Sequence, residues 1–419
     1  MTMNRRRWVI FGVCASLFLM SQFYRVSSAI IAPDLSRDLG LNSQELGLLG
    51  AIFFYLFALV QPPLGLLLDR IGARISMVVL NSIAVLGAII FAHAGGLPGG
   101  VIGRALLGLG MAANLMGSLK LFTKWFELRI FATITGLLLS MGALGTLAAT
   151  SPLALLMQAL GWRGAFYALA FLNALLTACL WITVRDTPQD GRRSDKIPSK
   201  TPSPLSAWGS MKALFTTWNY WAISLSIFLR YGSYASIQAL WAGPFLMVHL
   251  GLSTVTAGNL LLMISAGFIL GSPLGGIVSD RVLKSRKRTL IFALFIQAAA
   301  IFTLAQWQGT SHLLALAAVL FIIGFFASFN QLSYAHIMEL MPQEMSGTAM
   351  AGINFFTMMG AGLFIHALGA VMQSMAPNLS DGGEAYRTAF LICFAALLMA
   401  LAIYFTTRDS TVPRENRSE

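Results

Sequence analysis

Residues 65–74 read Gly65-Leu-Leu-Leu-Asp69-Arg70-Ile-Gly72-Ala-Arg74. They interrupt two apolar runs, 46–68 before and 75–91 after, with a charged turn only a few residues long. Each run is close to the roughly 20 apolar residues that carry a helix across a bilayer. A sharp charged turn between them is what a chain needs when it leaves one face of a membrane and re-enters at once. The same pattern returns 211 residues later as Gly276-Ile-Val-Ser-Asp280-Arg281, followed by Lys284, Arg286, Lys287 and Arg288. The turn and its copy imply a membrane protein built from two related halves.

The composition agrees. Of 419 residues, 57% are hydrophobic and 11% are charged, against about 25% charged in an ordinary soluble domain. A water-soluble globule of this length could not cover its surface with so few polar residues. The net charge of +12 would suggest nucleic acid in a soluble protein, but here the basic residues have another explanation, given below. Cys14, Cys179 and Cys393 lie in apolar runs without metal-ligand spacing and read as small buried hydrophobes. The first apolar run follows Arg5, Arg6 and Arg7, yet it is too long for a signal peptide and lacks a small-residue cleavage site.

Twelve stretches are long and apolar enough to span: 8–31, 46–68, 75–91, 101–121, 131–157, 165–184, 218–246, 257–278, 290–306, 313–337, 348–372 and 389–406. They do not alternate with period two, so helix is expected rather than membrane strand. With the N-terminus inside, 21 of the 28 Lys and Arg fall in inside segments and only Arg37, Arg163 and Arg387 fall outside. That bias places both termini in the cytoplasm, in a cell or inner membrane.

The expected organisation is an N-terminal six-helix bundle (1–184), a cytoplasmic linker (185–217), a C-terminal six-helix bundle (218–407) and a cytoplasmic tail (408–419). The linker holds Pro188, Pro198, Pro202 and Pro204 among charged and Ser/Thr residues. Pro33 and Pro244, which are expected to end spans 1 and 7, also lie 211 apart. A Gly-rich span 5 beginning near Gly136 matches a Gly-rich span 11 beginning near Gly352. Parallel six-span repeats are a transporter architecture, with substrate held near the midplane between them.

The stretch from Gly65 to Arg74 resembles the cytoplasmic signature G-x-x-x-D-R-x-G-x-R of the major facilitator superfamily at every defined position. Asp280-Arg281 resembles a degraded second copy, and Arg104-x-x-x-Gly108-x-Gly110 is similar to the family's motif in helix 4. The resemblance implies an all-α membrane protein of twelve helices in two pseudo-symmetric bundles that rock about a central site. In the motif itself, Gly65 is expected to let two helices approach. Asp69 should cap a helix or pair with an Arg, and Gly72 should turn the chain. Asp69, Arg70, Arg74, Asp280 and Arg281 are expected to gate and brace rather than touch substrate. The family's drug exporters carry a Gly-Pro pair in helix 5, whereas the proline nearest that helix here is Pro152, preceded by Ser151.

Four basic residues remain inside spans: Arg25, Arg104, Lys120 and Arg230. Each costs roughly 2.5–3.5 kcal/mol at a bilayer centre, and no acidic residue falls clearly within a span to offset them. A net-basic interior suits an anion, which neutralises it on binding. Tyr24-Arg25 with Pro33 resembles helix 1 of organophosphate:phosphate antiporters and anion:cation symporters, where a helix-1 Arg contacts phosphate or carboxylate. Gln22 and Ser28 lie one turn from Arg25; alternatively Arg25 bonds helix carbonyls or snorkels outward. Arg230 shares a helical face with Tyr234, Gln238 and Trp241, and Leu229-Arg230-Tyr231-Gly232 resembles helix 7 of the same antiporters. Its alternative is an interhelical network. Arg104 and Lys120 are expected to be structural. Asn330, Gln331, Tyr334 and Asn354 complete the candidate substrate site. His336 and His366 are the titrating groups available if protons are coupled.

These residues lead to an expected function: secondary transport of a small organic anion, carboxylate or phosphate ester, by symport or exchange. The alternative is a transporter of neutral or amphipathic solutes, including drug or metabolite efflux. Partners would be the lipid bilayer, the anion and a co-transported proton or cation, with no nucleic acid, in a monomer. No cofactor or metal is expected. No HExxH, no paired intramembrane acids and no nucleophile constellation points to an enzyme. No GxxxxGK[ST] loop points to an ATPase.

Overall fold

The computed structural model describes residues 3–187, 214–341, 346–376 and 383–409, apart from the side chains at 3–5, 128, 132 and 346–348. The proline-rich part of the expected linker (188–213) and most of the expected tail (410–419) lie outside the described residues. Among those described there is no strand. Eleven helices among the described residues are long and apolar enough to cross a membrane. The remaining expected span, 218–246, begins with the helix Trp218–Ser236, which carries Asn219, Arg230, Tyr231 and Tyr234 and is less apolar. It continues through π-helical turns at Ile237–Trp241 and Phe245–His249.

Several spans are broken, and the breaks have local causes. Span 1 consists of Met3–Val26 and Ser28–Leu39, joined at Ser27, which keeps helical φ/ψ and whose hydroxyl folds back onto the Tyr24 carbonyl at 3.1 Å while the next bond of the ladder, Ile31 N–H to the Ser27 carbonyl, lengthens to 3.5 Å. Such back-bonding competes with the helix ladder. Pro33, expected to end this span, lies inside Ser28–Leu39 instead. The missing Pro N–H removes only the bond to the Ala29 carbonyl, and the helix runs on to Gly40 in the left-handed region (φ 65°). Span 2 is Ser43–Ile71, opened by a reciprocal capping box between Asn42 and Glu45.

Span 3 is Ala73–Ala92, and span 4 is Leu97–Met111 with Ala113–Trp125. Span 5 (Leu128–Ala148) stops short of the expected 157. The residues around Pro152 open Ser151–Thr183, where proline's missing N–H is harmless in the first turn. This helix kinks at Gly161 (φ 68°). In the second half, span 8 is Thr254–Ile277, span 9 Arg286–Ala305, span 11 Ser346–Met375 and span 12 Gly383–Phe405. Span 10 is Leu313–Ala327, a 3₁₀ turn Ser328–Gln331, and Leu332–Leu340.

The chain forms two compact units. One comprises Met1–Thr201, Ser236–Leu262 and Gly362–Ala385; the other comprises Pro202–Ala235, Met263–Ala361 and Tyr386–Glu419. In the first, spans 1–6 pack with the ends of spans 7 and 11 that lie farthest from the Asp69-Arg70 turn. We call that the far end, and the other the motif end. A Cβ on Gly108 would overlap Phe53, and one on Gly145 would overlap the Leu19 carbonyl. Spans 4 and 5 therefore touch their neighbours backbone to backbone, as small residues allow in a bilayer. The expected close approach at Gly65 is not seen among the described residues, none of which lies within 4 Å of its Cβ position. In the second unit, Gly267, Gly271 and Gly275 of span 8 face Phe321, Phe325 and Phe329 of span 10. That is the packing stripe their spacing suggests.

Candidate functional site

Arg25 lies at the last turn of Met3–Val26, beside the break at Ser27, in the first unit. It is half-buried, and its guanidinium carbon stands 4.8 Å from the Phe57 ring centroid. Its Nε is buried without a hydrogen-bond partner, and among the described residues it forms no ion pair. Gln22 Oε1, Tyr24 Oη and Ser28 Oγ are likewise buried and unpartnered among the described residues. Polar groups left open in a helix interior are costly unless a ligand or water completes them.

The other candidates of this unit lie at the far end. Trp241 is fully buried and its indole donates to the Ile365 carbonyl at 3.1 Å. Gln238 belongs to the π-helical turn before it. The change of period there removes Trp241 from the regular 3.6-residue face assumed for Arg230. His366 is half-buried on span 11, with its ring 6.5 Å from that of Tyr55.

In the second unit Arg230 is buried and braced. Its Nε donates to Gln297 Oε1 at 3.0 Å and its Nη2 to the Phe326 carbonyl at 2.5 Å. Only Nη1 lacks a partner among the described residues. No carboxylate neutralises it, but two bonds tie it into spans 9 and 10. Tyr234 stacks on Phe268 at 5.6 Å. Tyr334 reaches Thr357 Oγ1 at 3.1 Å and Asn354 Oδ1 at 3.4 Å. Gln331 accepts from Ser272 at 2.8 Å, while the buried Asn330 Oδ1 has no partner among the described residues.

His336 is fully occupied. Its Nε2 faces the Arg408 carbonyl at 3.0 Å and its Nδ1 the Tyr404 hydroxyl at 2.5 Å. A carbonyl only accepts, so Nε2 carries the proton and Nδ1 accepts from Tyr404. A second proton on His336 would reverse the bond at Nδ1, with the Tyr404 hydroxyl accepting.

The motif end is braced by charge. Lys120 donates to Asp69 Oδ1 at 2.6 Å and to the Leu68 carbonyl at 2.5 Å. The partner of Asp69 is thus a lysine of span 4, not an arginine. Gly72 adopts φ 95°, and Asp186 accepts from the Arg74 N–H at 3.0 Å. The Arg74 guanidinium lies 4.3 Å from the Trp181 ring. In the second unit Arg286 holds Asp280, Ser279 and Glu339. Arg70 and Arg281 are exposed. Arg104 is fully buried, donating from Nη1 to the Tyr24 carbonyl at 2.9 Å. Sequence reasoning did not single out Phe53 or Phe57, because an aromatic residue in an apolar run carries no mark that separates it from core.

Residues 13–364 and 223–419 match the sequence profile of the Major Facilitator Superfamily. The chain belongs to that superfamily. This major facilitator protein is 26% identical over 294 residues to a probable sulfoacetate transporter of Cupriavidus necator, covering 67% of this chain and 66% of that one. It is 22% identical to a probable galactarate/D-glucarate transporter of Escherichia coli, covering 84% of each. It is 23% identical to a probable hexose phosphate transport protein of Chlamydia muridarum, covering 94% and 89%. Alignments with some relatives are shorter; that with an uncharacterized Bacillus subtilis transporter spans 60% of each chain. Among solved structures, a bacterial homolog of the human lysosomal transporter Spinster, inward-facing and unoccupied, superposes with a TM-score of 0.80. It is 15% identical and covers 96% of both chains, so it establishes the fold alone. The protein is therefore a multi-pass membrane protein of the major facilitator fold.

Proposed function

We propose that this protein is a secondary transporter of small organic anions, carboxylates or phosphate esters, working by alternating access. The observation that carries the reading is Arg25: a half-buried guanidinium within a membrane span, facing an aromatic ring and no carboxylate. An uncompensated cation in that setting is stabilised by an arriving anion. The relatives named for sulfoacetate, glucarate and hexose phosphate support the same chemistry. In the second unit, taken by itself, Arg230 with Nη1 open is a separate candidate for an anion contact.

Exchange fits the geometry better than proton symport. Several acidic residues at the spans' ends are engaged: Asp69 with Lys120, Asp280 and Glu339 with Arg286, Asp38 with Arg37 and Arg163. His336 has both nitrogens bonded. A carrier whose empty site holds bare positive charge resists turning over until an anion returns with it. We place the protein in the cell membrane with its termini in the cytoplasm, on the distribution of Lys and Arg. Uptake of labelled sulfoacetate, D-glucarate and glucose 6-phosphate into proteoliposomes, with and without a pH gradient and with or without internal anion, tests this. The reading requires uptake of at least one, stimulated by internal anion; uptake of none from such a panel would remove it.

A further inference from the structure

No ion pair neutralises Arg25 among the described residues, yet it is not loose. Its guanidinium lies over Phe57 at 4.8 Å. Phe57 stacks on Phe53, one helical turn away on span 2, at 6.2 Å and 21°. Phe53 in turn lies under the guanidinium of Arg104 at 5.1 Å. Arg104 then reaches across to span 1 and donates to the carbonyl of Tyr24, the residue before Arg25. The contacts close a ring through three spans: Arg25, Phe57, Phe53, Arg104, Tyr24 and back to Arg25. Phe53 and Arg104 are fully buried, Phe57 nearly so. Gly108, one turn from Arg104, lets span 4 pack directly on the Phe53 backbone, which sets the height of that end.

We propose that Phe57, backed by Phe53 and Arg104, is a positioning residue that aims the Arg25 guanidinium for the transported anion. The inference rests on the anion reading of the same site and adds how the cation is held. The physical reason is specific to aromatic rings. A carboxylate in this place would fix Arg25 and cancel its charge. A ring face attracts the cation through its quadrupole and leaves the full charge for the ligand. The flat guanidinium also stacks on a ring in a way an ammonium does not. Binding then requires less ordering of a long side chain, which is the usual gain from preorganisation.

The test uses the purified full-length protein in lipid nanodiscs and compares Phe57→Leu, Phe57→Met and Phe57→Trp with the unaltered chain. Two readouts are taken: the rate at which phenylglyoxal modifies Arg25, located by mass spectrometry, and the Kd of D-glucarate, sulfoacetate and glucose 6-phosphate. Removing the ring should speed modification of Arg25 severalfold and weaken the bound anion about tenfold. In transport, KM should rise with kcat little changed, as expected when binding alone is lost. Phe57→Trp should restore both readouts, which a purely space-filling role would not produce. Should Phe57→Leu fold poorly, Phe57→Met keeps the volume without the ring and answers the same question. Unchanged modification and unchanged Kd in the ringless variants would overturn the proposal. Faster modification of Arg25 in a protein that binds none of the three anions would uphold the positioning role and reject the anion reading.

Discussion

Arg25 and Arg230 are both cations inside spans, and their surroundings separate their roles. Arg25 has no hydrogen bond to lose among the described residues, so Arg25→Gln should leave the melting temperature within about 2 °C and abolish anion binding. Arg25→Lys keeps the charge but loses the planar fork and should still weaken binding more than about tenfold. Arg230→Gln severs bonds to Gln297 and Phe326. It should lower thermal stability by about 1–3 kcal/mol as well as weaken binding. Thermal unfolding and equilibrium binding on the same samples check the contrast. At the far end, the Trp162 indole and the Arg37 guanidinium hold the Asp38 carboxyl below its ordinary value, against its burial. A lowered carboxylate contributes fully above its unfolded value and is lost only as pH falls through the lowered one. The drop in melting temperature caused by Asp38→Asn should therefore be the same at pH 5 and pH 8. Arg25 was legible in sequence because a charge in an apolar run is conspicuous; Phe57 was not, because nothing in an apolar run marks one ring as support for a cation.

At the scale of helices, the far end of the first unit is closed by backbone contacts. Pro33 leaves the Ala29 carbonyl without its helical donor, and that carbonyl lies where a Cβ on Gly243 would stand. A Cβ on Gly47 would stand 3.0 Å from the Ile365 carbonyl oxygen and 3.2 Å from the Gly369 Cα. Ser43 N–H donates to Gln373 Oε1 at 3.1 Å. A side chain at Gly47 or Gly243 must push spans 1 and 2 away from spans 7 and 11. Gly47→Leu should therefore lower the yield of a short-linker cross-link between cysteines placed at 43 and 373 by severalfold, without loss of folded protein. An undiminished cross-link would show that this end yields elsewhere. The spans themselves were legible from apolar length. Their breaks at Ser27, Gly161 and Ile237–Trp241 were not, since a back-bonding hydroxyl or a π turn depends on packing that a single run of residues does not display.

For the whole molecule, the signature from Gly65 to Arg74, its copy 211 residues on and the distribution of 28 Lys and Arg made the family and the fold legible in the sequence. The cargo was not legible in the same way, because charge sign survives in sequence while pocket shape does not. Charge sign is therefore the property to test. Thermal shift of the purified protein with D-glucarate against D-glucitol, and glucose 6-phosphate against glucose, varies charge on a nearly fixed skeleton. At least one anion should raise the melting temperature while its neutral counterpart does not, and Arg25→Gln should erase the difference. Equal stabilisation by the neutral sugar or alditol, or an undiminished anion effect in Arg25→Gln, would contradict the account.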